Sequence, residues 1–145
     1  MTPSTPSVRA IVARHAEATA GNRVFFHPDI PEHRLAEALR GYRGVKPEDV
    51  LVLLDNTDSG SADEGALLTA DTLHVRDHGQ PPRRFALDGL GIVCLEPGPP
   101  RVLEINGRAV LMHLRVRPET MERFVAMLRE IVGMHSSPQT EGTPR

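Results

Sequence analysis

The residues in this chain whose types and spacing come nearest to chemistry lie in one short run: Asp55, Thr57, Ser59, Gly60, Ser61 and Asp63. They fall at offsets 1, 3, 5, 6, 7 and 9 of a calcium loop, in which alternate oxygens turn toward a cation and a glycine permits the bend. Offset 12, however, is Ala66 instead of a bidentate glutamate, and among the first three ligands only Asp55 carries charge. Apolar runs flank the loop on both sides. The pattern therefore fits a turn in which Asp and Ser oxygens accept from nearby backbone N–H groups while the glycines take positive φ. No metal is expected there.

The remaining reactive side chains are scattered. Seven histidines (His15, His27, His33, His74, His78, His113 and His135) are spread along the chain without a cysteine partner or an HExxH frame, so zinc is not expected. Cys94 is the sole cysteine and sits in an apolar run, where a thiol is a small core residue that nothing nearby activates. Lys46 is the sole lysine and follows no glycine-rich phosphate loop. These features together predict no enzyme and no cofactor.

Composition narrows the partners. The formal charge is −2 and the isoelectric point about 6.4, which argues against nucleic acid, whose binding needs a basic surface to displace counterions from phosphates. Sixteen of the 17 basic residues are arginine, a bias expected of a GC-rich bacterial genome. No segment approaches the roughly 18 apolar residues of a membrane span, and the N-terminus has no apolar signal core, so a cytoplasmic protein is expected.

These residues must be positioned by elements that the periodicity outlines. Ser7 is a helix N-cap ahead of Val8, Ile11, Val12 and Ala16, with Gly21 as the stop. A second helix opens at Asp29-Ile30-Pro31-Glu32 and buries Leu35, Ala38, Leu39 and Tyr42. Strand-like runs then begin near Val50, Gly65, Thr72, Arg83, Gly91, Arg101 and Ala109, with Asn106-Gly107 as a hairpin turn. From Pro118 the spacing of Met121, Phe124, Val125, Leu128, Ile131 and Val132 predicts an amphipathic helix ending at Gly133. Burying that stripe would contribute about 10 kcal/mol gross. The expected division is a disordered N-terminus over 1–6, a helical extension over 7–49, a β-rich domain over 50–135 and a disordered tail over 136–145.

About seven antiparallel strands followed by one helix suit two sheets whose splayed end the helix covers. Within that order, Asp55-x-Thr57-x-x-Gly60-Ser61-Ala62-x-x-Gly65-x-x-x-Thr69 resembles the opening strands of bacterial pleckstrin-homology-like (PH-like) domains. The resemblance covers Val24 to Gly133 and implies an α+β fold: a partly open barrel of about seven antiparallel strands capped by a C-terminal helix, here with two short N-terminal helices. It assigns Asp55, Thr57, Gly60, Gly65 and Thr69 a structural part, and it implies a protein-interaction module.

Membrane lipid is not expected as a ligand, because the first strand–strand loop carries Asp55, Asp58, Asp63 and Glu64, which would repel an anionic headgroup. A protein partner is expected instead, bound to a monomer or weak homodimer. It would dock by strand addition at an edge within 91–115, or on an arginine-bearing face formed by Arg83, Arg84, Arg101 and Arg108. Two other readings stay open: a secretion-chaperone-like or adaptor α/β dimer that binds an effector segment, and a small metal- or ligand-dependent enzyme.

Overall fold

A computed structural model describes residues 7–21 and 23–141, with side chains described to residue 135. The expected disorder of 1–6 falls outside the described residues. Helix α1 (Val8–Thr19) starts where the capping pattern placed it, with the Ala10 N–H donating to Ser7 Oγ at 3.1 Å. The strand β1 (Val24–Phe26) follows, then helix α2 (Glu32–Ala38) and a 3-10 turn at Pro47–Asp49. Next come β2 (Val52–Asp55), β3 (Gly65–Leu68), β4 (Thr72–Arg76) and β5 (Arg83–Ala86). After a 3-10 turn at Leu87–Gly89 the chain forms β6 (Val93–Glu96), β7 (Val102–Ile105) and β8 (Arg108–Leu111), and ends in helix α3 (Pro118–Glu141).

The architecture is α+β, with two antiparallel sheets in the orders β1-β2-β3-β4-β5 and β6-β7-β8. They do not close into a barrel. The sequence pattern suggested about seven strands, and the eighth is β1, whose three residues are too few to show a period. The segment 7–49, expected as an extension, contributes that strand to the sheet and α1 to the main core. Helix α3 also runs past its expected stop at Gly133, which has no positive φ and so forms no left-handed cap. Of the expected tail, 136–141 continue the helical backbone, and 142–145 lie outside the described residues.

Strand alternation gives the five-stranded sheet two different faces. On the inner face Val24, Phe26, Val52, Leu54, Ala66, Leu68, Leu73 and Val75 join α1, α3 and the second sheet in one core. On the outer face Leu53 and Leu67 pack beneath Ala38 and Tyr42. Every residue of β2 and β3 is consequently buried, which is why those strands appear as continuous apolar runs instead of alternating. The Asn106-Gly107 turn forms as the pattern requires, with φ of 53° and 83°. Among the described residues no helix is long and apolar enough to cross a membrane.

Candidate functional site

The acidic loop between β2 and β3 folds inward on itself. Asp55 is 1% exposed; its Oδ1 accepts from the Thr57 N–H at 2.8 Å and the Thr57 hydroxyl at 2.5 Å, and its Oδ2 pairs with Arg34 at 3.0 Å. Thr57 Oγ1 in turn accepts from the Gly60 N–H at 3.0 Å, and the Arg34 guanidinium also donates to Gly60 O at 2.8 Å. Both carboxylate oxygens that a cation would need first are thus already occupied. Gly60 has φ +84° and Gly65 φ +134°, and a Cβ on Gly65 would collide with Leu54 O, so both are backbone positions. Thr69 lies apart, at the far end of β3, where its hydroxyl accepts from the Thr72 N–H at 3.2 Å in the β3–β4 turn.

Arginines from elsewhere hold this loop in place. Arg23 donates to Thr57 O at 2.7 Å, Arg76 to Asp63 O at 3.0 Å, and Arg115 pairs with Asp58 at 2.7 Å. Sequence alone did not distinguish these from the four arginines singled out as a docking face. Those four do not share a face. Arg83 and Arg84 are neighbours on one strand and point to opposite sides. Arg101 donates to Leu114 O and Val116 O at 3.2 and 2.6 Å, bracing the segment after β8, while Arg108 stands on the exposed start of β8. At the edge expected to be open within 91–115, one carbonyl is taken, Val93 O on β6 accepting from Arg129 of α3 at 2.9 Å. Cys94 on β6 is half-buried, not a core residue.

The outer face of the large sheet leads to a different place. One cross-strand row runs Phe25, Leu53, Leu67, His74, Arg84. The layer of α2 and Tyr42 covers its apolar part and reaches the edge of the His74 ring, leaving a pocket of about 330 Å³ between the α2–β2 connection, the β3–β4 turn and β5. Four cations line it: Arg9 from the first turn of α1, Arg43 and Lys46 from the connection, and Arg84 from β5. Among the described residues none of these four side chains makes an ion pair or hydrogen bond with another. Among the described residues Asp49 and Asp71 are the carboxylates of the lining, and the Asp71 carboxylate accepts from the Thr72 hydroxyl at 3.0 Å.

His74 is the buried polar residue of this pocket, at 6% exposure. Its ring meets Tyr42 edge-on, with centroids 6.2 Å apart, and makes no hydrogen bond to another described residue. Burial, and then the Arg84 guanidinium, push its pKa below the ordinary value, so the ring is neutral at neutral pH. Tyr42 is likewise buried, its hydroxyl has no hydrogen-bond partner among the described residues, and burial raises its pKa. Among the described residues no group of three His, Cys, Asp or Glu side chains could hold a metal ion.

No family model, curated protein or solved structure matches this chain. The site therefore rests on its own geometry. Of the arginines singled out from sequence only Arg84 belongs to the pocket. Arg9, Arg43, Lys46 and His74 come from segments far apart in sequence, and the one local signal was that Lys46 stands as the sole lysine.

Proposed function

We propose that the chain is a non-enzymatic protein-interaction module of PH-like layout that takes an extended acidic segment of a partner protein on β5. The order of elements supports the layout: four consecutive strands, β2 to β5, in one sheet, then three in a second sheet, then a helix, with α1, β1 and α2 added in front. The observation that carries the binding role is the cluster of four cations that pair with no described residue, beside a sheet edge to which no other described segment bonds.

The two edges of the large sheet differ. On β1 the outward carbonyls are already taken, Val24 O by the Gly21 N–H at 3.0 Å and Phe26 O by the Asp29 N–H at 2.7 Å. On β5 the Leu87 N–H bonds to Asp71 O at 2.9 Å, so by the alternation of an antiparallel ladder Phe85 and Arg83 also face β4. The N–H and C=O groups of Arg84 and Ala86 then point away from the sheet, and no other described segment bonds to them. An extended peptide can pair there through its main chain, while the cations beside it favour acidic side chains.

Ala86 provides a clean test. Its φ of −62° already suits proline, and proline would remove only an outward N–H. Selection of a displayed random-peptide library on the full chain should enrich acidic, extended sequences. Their affinity should fall by about tenfold or more in Ala86→Pro and in Arg84→Glu, with the melting temperature kept. Peptides indifferent to both substitutions would overturn the proposal. A stable dimer that Ala86→Pro dissociates would favour the adaptor-dimer reading.

A further inference from the structure

We infer that the pocket beside β5 is a receptor for a phosphate monoester dianion, which rests on the strand-docking reading above in that the phosphate arrives on the docked segment. Three observations carry this. The first is charge: four cations face two carboxylates, leaving two positive charges uncompensated in the lining. A phosphate monoester carries close to two negative charges at neutral pH, whereas an aspartate or glutamate side chain carries one and would leave the pocket under-neutralised. Three of the four cations are arginines, whose planar forks match oxyanion geometry.

The second is the unpartnered His74 ring, 6% exposed and lining the cavity, which has hydrogen-bonding capacity that no described residue meets. A phosphate oxygen can accept from its N–H. The third is register. A residue paired opposite Arg84 on an added strand projects to the same side as Arg84 and His74, which is the side of the pocket. A phosphorylated side chain at that position would enter a space of about 330 Å³, large enough to admit a phosphoryl group on a short stem. The larger depression beside the acidic loop offers no such match, because Asp58, Asp63, Glu64 and Asp77 line it and its Arg115 is already paired.

The experiment is calorimetric titration of the full chain with one selected peptide in three forms, carrying phosphoserine, glutamate or serine at the residue opposite Arg84. Inorganic phosphate and vesicles containing phosphatidic acid are titrated alongside. The phosphoserine form should bind about tenfold or more tighter than the glutamate form, and Arg84→Gln or Lys46→Gln should erase most of that gap. Inorganic phosphate should shift the His74 ring resonances in the wild type and not in Arg84→Gln. Both substitutions are at exposed positions, and melting temperature confirms the fold. Equal affinity for the phosphoserine and glutamate forms, with peptide binding intact, would overturn the phosphate inference and leave the docking reading standing. Phosphate binding that needs Arg84, with no peptide binding at all, would overturn the docking reading and assign the pocket to a free phosphate monoester. Tight vesicle binding lost in Arg84→Gln would overturn the peptide as the source of the phosphate.

Discussion

Asp55 is the residue at which the sequence pattern and the structure differ most in consequence. A turn residue whose oxygens only accept from backbone N–H groups, the part the sequence pattern assigns to Asp55, would tolerate asparagine. In the structure its Oδ2 meets Arg34, and an asparagine amide would place an N–H₂ against that guanidinium while keeping the acceptor for Thr57. Removing one member of a buried charge pair leaves the other uncompensated, so Asp55→Asn should cost about 1–3 kcal/mol. Partial exposure of Arg34 keeps the cost toward the lower end. Urea unfolding measures it, and a double-mutant cycle with Arg34→Met separates the pair from the Thr57 contacts. An unchanged midpoint in Asp55→Asn would show that the ion pair contributes nothing.

Among the elements, α1 and α3 are the pair whose contact can be followed by pH. Glu130 on α3 pairs with Arg14 of α1 and lies 2.8 Å from His15 Nε2, and these hydrogen bonds, that to Arg14 first, hold its carboxyl below the ordinary value of 4.5. A carboxyl depressed in the folded state stabilises the fold at all pH values above its unfolded value, and the contribution is lost as the pH falls toward the folded one. Glu130→Gln should therefore lower the melting temperature slightly at neutral pH and flatten its decline below 4.5. Thermal scans across that range check it; identical profiles would mean that the pair is screened. The same clamp fixes the helix that carries Arg9 to the pocket.

At the scale of the molecule, two cores share one sheet. The inner core needs α3, which buries Met121, Phe124, Val125, Met127, Leu128 and Ile131. At about 1.5–3 kcal/mol each, that burial is comparable with the whole net stability of a domain. Truncation before Pro118 should therefore abolish cooperative unfolding, as calorimetry would show, while a transition near that of the full chain would mean that the sheets stand without the helix. The outer core is thinner; it tapers over β4, where Tyr42 meets His74, and stops short of β5. That incomplete cover exposes the cation-lined pocket beside β5, the end strand of the sheet, to whose outer edge no other described segment bonds.

Much of this fold was legible because its signals are local. Ser7 caps α1 through its own N–H neighbours, Asn106-Gly107 makes a turn from two φ preferences, and the α3 stripe follows from a 3.6-residue period. Each needs only a few adjacent residues. The strand β1 was too short for a period, and Gly133, the stop the pattern offered for α3, takes no positive φ and lies inside the helix. What the tertiary structure alone decided is which charges remain unpaired. Sixteen arginines look alike in sequence, but Arg23, Arg34, Arg76 and Arg101 have their donors taken by carbonyls and carboxylates brought close by sheet pairing. Arg9, Arg43, Lys46 and Arg84 meet only where α1, the α2–β2 connection and β5 converge, and among the described residues only Asp49 and Asp71 stand beside them to offset their charge. Electrostatic complementarity depends on distances through space, and those are set by the packing of the whole chain, which no local run of residues contains.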